Sequence, residues 1–465
     1  MLFSTKSDCL KLIKKGIRIA VAKEKLLAFI VIALLFVSLS TVQNAVSQPA
    51  SQLAPQPSTP PPAPMPVLNS SKLMVELVAE NLKSPTSMSF TGNGRDILVT
   101  QKGGEVLLLS NASEPKTLLD FTVNSLNERG LLGVAVLHNA SNVGARANPA
   151  MVTDGSNQTS TFVFFYLTEA SGGNRTEVLG NRVYRFEWNN TDKSLSNGTL
   201  ILDLPAEPGL RHNGGKLIAD SKNQHVYAVI GDVNRNGTLQ NFNNSSPPDD
   251  TSVIVRVNPD GSPAGDNPFL NVSRSNSSYA NLSKYYAYGI RNSFGMDLDP
   301  VTGNLWITEN GPARFDEIDI VQPGFNSGWK KVFGPIEKRN TTESDLVHFP
   351  GSHYADPVFT WAESVAVTDI EFFRSTKFGG NYTGNIFVGD FNNGHLYFFT
   401  VNETRDGLKF NLTGLADDLV ASTPRQVSAV IFGTGFGGIT DISTGPDGHL
   451  YVLTFGGKIY RIVPK

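Results

Sequence analysis

The chain has 465 residues, 40% of them hydrophobic, with 43 Gly, 27 Pro, 28 Phe and a formal net charge of −3. Such a balance argues against nucleic acid as a partner, because affinity for a phosphate backbone comes from clustered Lys and Arg. The single cysteine, Cys9, excludes an internal disulfide framework, so the core must hold the fold.

The first 25 residues carry seven Lys or Arg against Asp8 and Glu24, and an uncharged run from Leu26 to Val42 follows. Residues 1–47 therefore read as a signal peptide or membrane anchor, basic side inside, with Ala45-Val46-Ser47 as a small-residue cleavage site. Either outcome places the rest of the chain outside the cytoplasm, at the cell surface or beyond. Residues 48–70 are rich in Pro and read as an extended linker, a tether between membrane and globule. After the first 25 residues acids outnumber bases 40 to 32. Seventeen Asn-x-Ser/Thr triplets, including Asn111, Asn197, Asn271, Asn340 and Asn411, fit an exported glycoprotein.

From residue 71 to 465 one pattern returns: a short apolar strand, a turn with Asp, Asn or Gly, then a strand with an aromatic near its start. MSFTGNGRDILVT (88 to 100), LIADSKNQHVYAVIGD (217 to 232), MDLDPVTGNLWITEN (296 to 310), TGNIFVGDFNNGHLYFFTV (383 to 401) and ISTGPDGHLYVLTFGGKIYRI (442 to 462) show it. TFVFFYLTEA (161 to 170) makes a sixth copy, and spacings of about 60 to 80 residues suit four short strands with their loops. The expected fold is all-β, a six-bladed propeller closed by a strand at 74–78 pairing with the last blade. A pair of β-sandwiches is the alternative.

Three groups of residues stand out as chemistry. In Arg211-His212-Asn213-Gly214-Gly215 a histidine at a loop-to-strand junction, with glycines allowing close backbone approach, has the make-up of a general base. Arg291-Asn292 offers a fixed cation and an amide to an anionic or carbonyl group. Asn310-Gly311-Pro312 forms a bend that turns carbonyls toward one point, the ligand type a hard cation such as Ca²⁺ prefers, and Asp316 and Glu317 add carboxylates. The chain outside the leader has no G-x-S-x-G elbow, no H-E-x-x-H and no Walker loop, so a serine triad or a zincin is unsupported.

RGLLGVAV (129 to 136), HNGGKL (212 to 217), YGIRNSFGMDLDPVTGNLWITENGP with DEI (288 to 318), PGFNSGW (323 to 329), SVAVTDIEFF (364 to 373) and GPDGHLYVLT (445 to 454) together resemble the glucose/sorbosone dehydrogenase family. The likeness runs from about residue 73 to the C-terminus. It implies a six-bladed propeller that oxidises an aldose or related sugar alcohol carbon with pyrroloquinoline quinone and Ca²⁺, passing electrons to an unknown acceptor. By resemblance His212 is the base, with Arg291 and Asn292 beside the quinone. The Gly311 and Pro312 carbonyls match ligands of the metal, and Glu317 matches a carboxylate at a further calcium site, whereas Asp316 with Glu317 at the same or a second ion is the reading of the residues alone. Glu128, Asn392 and Thr440 stand at cofactor-facing positions where quinone-binding members carry Gln, Lys and an Arg-x-Arg-Asp pattern. Two other readings of the sequence stay open: a non-catalytic glycosylated propeller that binds carbohydrate or protein, and a calcium-dependent lactonase-type hydrolase.

Overall fold

A computed structural model describes residues 64–465 apart from 93, 95, 111–113 and 141–159. The leader at 1–47 and the linker up to residue 63 lie outside the described residues. Among the described residues the strands form six sheets, each with a run of four antiparallel strands. Their first strands are Pro85–Phe90, Leu131–Ala140, Leu217–Asp220, Gly295–Leu298, Val367–Phe372 and Ile439–Thr444. Each of these neighbours the next, and Ile439–Thr444 returns to Pro85–Phe90, so the first strands line the axis of a closed ring. The fold is an all-β propeller.

Five sheets take their four antiparallel strands in chain order, from the axis outward. The remaining sheet is composite. Its three inner strands are C-terminal, and its outermost strand is Leu73–Ala79, paired antiparallel to Lys458–Pro464 from Leu73 opposite Pro464 to Ala79 opposite Ile459. Closing the ring by pairing leaves no sheet stranded at a seam. Between sheets the core is aromatic: Trp306, Phe359, Trp361, Phe372, Tyr397 and Phe399 pack at one such junction, none more than 2% exposed. Side chains of this size each contribute about 1.5 to 3 kcal/mol on burial.

The axial strands have a different problem. They neighbour one another without sharing a backbone ladder, which would leave buried N–H groups unpaired. Acidic side chains supply the missing acceptors. Asp297 Oδ2 accepts from the Phe372 N–H at 2.8 Å and Asp369 Oδ2 from Ile442 N–H at 2.9 Å. Glu371 Oε1 takes Thr444 N–H at 2.9 Å, and Asp441 Oδ2 takes Met88 N–H at 2.8 Å. Carboxylates thus stitch three of the six axial junctions, from Gly295–Leu298 round to Pro85–Phe90.

Several of these buried acids hold their protons tightly. Burial pushes Glu371 up to about 7, with Asp297 raising it further and Arg374 opposing, and burial likewise pushes Glu309 up to about 7. Both carboxyls bind protons more tightly folded than unfolded, so the stability they contribute is full below their ordinary range and is lost as pH rises through about 7. Each group should cost on the order of 3 kcal/mol across that window. Urea midpoints are expected to fall from pH 5 to pH 8, and Glu371→Gln should flatten part of that fall.

Candidate functional site

The segments named for chemistry meet at one mouth of the ring. Axial strands begin there and second strands end there, so loops from different sheets converge around the axis. Thr86, Glu128, His212, Arg291, Asn292, Ala366 and Thr440 come from the starts of axial strands, whereas Lys102, Asn310, Gly311, Phe391 and Phe455 follow second strands. They line a cavity of about 530 Å³. Its size suits a small-molecule ligand with a cofactor-sized ring system.

His212 is buried on this wall and adopts φ of 62°. Glycine neighbours are required beside it, because a Cβ on Gly231 would sit 2.6 Å from the His212 carbonyl oxygen. Its Nδ1 lies 2.6 Å from Asp232 Oδ1, and Asp232 Oδ2 accepts from Trp329 Nε1 at 2.8 Å. A carboxylate held on both oxygens fixes the ring with its proton on Nδ1, which leaves the Nε2 lone pair free. Among the described residues Nε2 makes no hydrogen bond. A ring held this way can accept a proton at Nε2.

Glu128 is part of the same framework. One oxygen, Oε2, accepts from the His212 backbone N–H at 2.6 Å and from Asn292 Nδ2 at 3.0 Å, and Asn292 Oδ1 in turn accepts from Gly214 N–H at 3.3 Å. Glu128 thus holds the His212 backbone and the Asn292 amide together. Arg291 donates from Nη1 to the Asn310 carbonyl at 2.9 Å and lies over Trp329 with its guanidinium carbon 5.2 Å from the ring. Burial lowers its pKa, and Asp232, Glu309 and Glu128 oppose the shift. Its Nε is buried with no partner, a donor left over for a ligand. Glu309 accepts from the Arg291 N–H at 2.6 Å and from Ser327 Oγ at 2.8 Å, which fixes the loop carrying the arginine.

The floor of the cavity is a buried ion cluster. Lys216 Nζ lies 2.7 Å from Asp369 Oδ2 and 3.0 Å from Asp441 Oδ1, and Ser87 Oγ donates to Asp441 at 2.5 Å. Burial holds Asp369 well above the usual carboxylate range, and although burial opposes it, Lys216 pulls Asp441 below. Lys216 and Asp441 also line a second cavity of about 1080 Å³ on the opposite mouth, so the cluster separates the two.

The other expected site residues lie in differing surroundings. Asn392 is exposed and does not line the cavity; its neighbour Phe391 does, paired with Phe455 at 5.4 Å. Thr440 reaches the wall, but its hydroxyl is spent on the Pro85 carbonyl at 3.1 Å. Of the four expected metal-site residues only Gly311 lines the cavity, although its N–H touches Asp316. Gly311 lies on the wall, where a Cβ would meet the Arg314 carbonyl at 1.9 Å, whereas Pro312 is exposed and off the wall. Asp316 is saturated by donors: Gly311 N–H at 3.0 Å, Ser364 Oγ, and the Val365 and Ala366 N–H groups at 2.8 and 2.7 Å. Its role is to lock the 364–366 loop against the Gly311 bend. Glu317 accepts from Gly334 N–H and sits with Asp319, both pushed well above the usual range first by burial and then by neighbouring acids. Among the described residues no group of three His, Cys, Asp or Glu is placed to hold a metal ion.

The profile described as Glucose / Sorbosone dehydrogenase matches residues 82–461. The chain belongs to this family. An aldose sugar dehydrogenase of Escherichia coli strain K12 is 29% identical over 272 residues, 57% of this chain and 64% of that protein. Quinoprotein glucose dehydrogenase B of Acinetobacter calcoaceticus is 26% identical over 279 residues, 56% of this chain and 52% of that one. The alignments therefore span about half to two thirds of these relatives. A solved aldose sugar dehydrogenase from Streptomyces coelicolor in its PQQ-bound form superposes with a TM-score of 0.57 at 21% identity, covering 85% of this chain and 99% of that one. At that identity the likeness speaks for the fold.

For this glucose/sorbosone dehydrogenase family member, sequence reading missed Asp232, Lys102 and the Lys216 cluster. The acids carried a signal. Thr368-Asp369-Ile370 and Thr440-Asp441-Ile442 repeat one tripeptide at equivalent places in two axial strands.

Proposed function

We propose that this chain is a sugar dehydrogenase that oxidises a hydroxyl-bearing carbon of an aldose or related sugar with pyrroloquinoline quinone, and that His212 is its general base. The observation that carries the reading is the Trp329–Asp232–His212 series, which ends on a free Nε2 in a cavity lined by cations. The same reading takes the six sheets as six blades of one ring, and the leader and linker as a device that puts the domain outside the cytoplasm.

The cavity fits an anionic planar cofactor. Lys102, Arg211 and Arg291 line it, and the orphaned Arg291 Nε asks for an acceptor. Phe294, Phe391 and Phe455 offer flat apolar surface. A tricarboxylate quinone would be held by those three cations with Asn292, and its chemistry when bound is to take up a hydride. His212 Nε2 takes the hydroxyl proton as the carbon–oxygen double bond forms and the hydride leaves that carbon. Asp232 then faces an imidazolium and stabilises it. Arg291, fixed by Glu309 and Trp329, orients the anionic partner beside the base. Ca²⁺ fits this donor set less well: Gly311 supplies one carbonyl on the wall, Asp316 is consumed, and no step is derived through the metal.

Titration of the purified chain with the quinone, with and without Ca²⁺, tests the reading through the bound-quinone spectrum and aldose-dependent dye reduction. Absence of binding at micromolar quinone overturns it in favour of a carbohydrate-binding propeller. Lys102→Met and Arg211→Met should each weaken quinone affinity about 10- to 100-fold, as charge-assisted contacts of roughly 1.5 to 3 kcal/mol require. Fluorescence quenching at equilibrium measures that loss without turnover.

A further inference from the structure

We propose that the exposed Asn-x-Ser/Thr asparagines are glycan acceptors, and that none of them belongs to the cavity wall. Fourteen of the 17 triplet asparagines have described side chains, and none of those fourteen is buried. Twelve are exposed, and Asn281 and Asn402 are half-buried. The other asparagines behave differently: eight of the eighteen described are buried. At that rate about six of the fourteen would be buried if the triplet were indifferent to position. The buried ones do structural work, Asn241 pairing with Asn326 and Asn181 with Asn213.

The acceptor side chains are chemically free as well as exposed. Among the described residues Asn271, Asn340, Asn381 and Asn411 make no side-chain hydrogen bond, so each Nδ2 is open to reaction. In the transfer, Nδ2 forms a bond to the anomeric carbon of a lipid-phosphate-linked oligosaccharide and loses a proton, while the phosphate leaves with the bonding electron pair. No oxidant or reductant enters. The asparagines on the cavity wall, Asn127, Asn292 and Asn310, begin no triplet, so no acceptor lies within the cavity itself. The inference rests on export of the chain and is independent of the catalytic reading.

Intact mass and glycopeptide mapping of the full chain isolated from the cells that produce it test this, alongside Asn271→Gln, Asn340→Gln and Asn411→Gln. The expected result is mass above that of the polypeptide, a loss of one glycan for each substituted acceptor, and unmodified peptides at Asn181, Asn292 and Asn326. A mass equal to the polypeptide, with or without residues 1–47, overturns the proposal. Glycan found on a buried asparagine overturns the exposure argument. Sugar oxidation should be unchanged in all three variants, so a failed quinone titration and a failed glycan map are distinguishable.

Discussion

His212→Gln is expected to lower the rate of sugar oxidation by about 10² to 10⁴ while leaving quinone affinity near its starting value, because a positioned base contributes that much to the step and little to binding. Asp232→Asn should fall in the same range for a different reason. An amide at position 232 no longer stabilises the imidazolium, and it presents the wrong hydrogen-bonding pattern to either Nδ1 or the Trp329 N–H. Single-turnover reduction of the bound quinone by an aldose separates the two effects from product release. Turnover like that of the unsubstituted chain in His212→Gln would remove the histidine from the mechanism.

Lys216→Met should be the most destabilising single change at the axis, at about 3 to 5 kcal/mol. The substitution leaves Asp369 and Asp441 facing each other without their shared cation, and stranding buried charge costs that much. Equilibrium urea unfolding at pH 7 measures it. Adding Asp369→Asn and Asp441→Asn to Lys216→Met should recover a large part of the loss, since neutral amides need no counter-ion. If the triple variant is no more stable than the single one, the cluster's cost lies in packing and not in charge.

The fold was legible because its repeat is local: each hairpin announces itself by an apolar strand, a Gly or Asn turn and an aromatic. The closing pair was also legible, as Leu73–Ala79 had no other sheet to join. His212, Arg291 and Asn292 could be named because their motif lies within a few residues of each. Asp232 could not, since it reaches His212 only when a strand folds back over 20 positions, and nothing local marks it as that partner. The surroundings of Asp316 were hidden for a related reason. From sequence a carboxylate near a Gly-Pro bend looks free, whereas in the fold four separate donors converge on it. Acids on axial strands were the least expected feature, because a carboxylate inside an apolar strand reads as surface until the neighbouring strand's N–H groups are placed beside it.

The composite sheet has a consequence for biosynthesis. Its outermost strand leaves the ribosome among the first parts of the domain, yet its partner, Lys458–Pro464, emerges nearly 400 residues later. Pairing across so long a separation makes loop closure costly and late. Until that latch is made, Leu73–Ala79 presents an unpaired edge with Met74, Leu77 and Val78 outward. The chain therefore stays an open array of sheets during synthesis, and the ring shuts only once its last strand has been made.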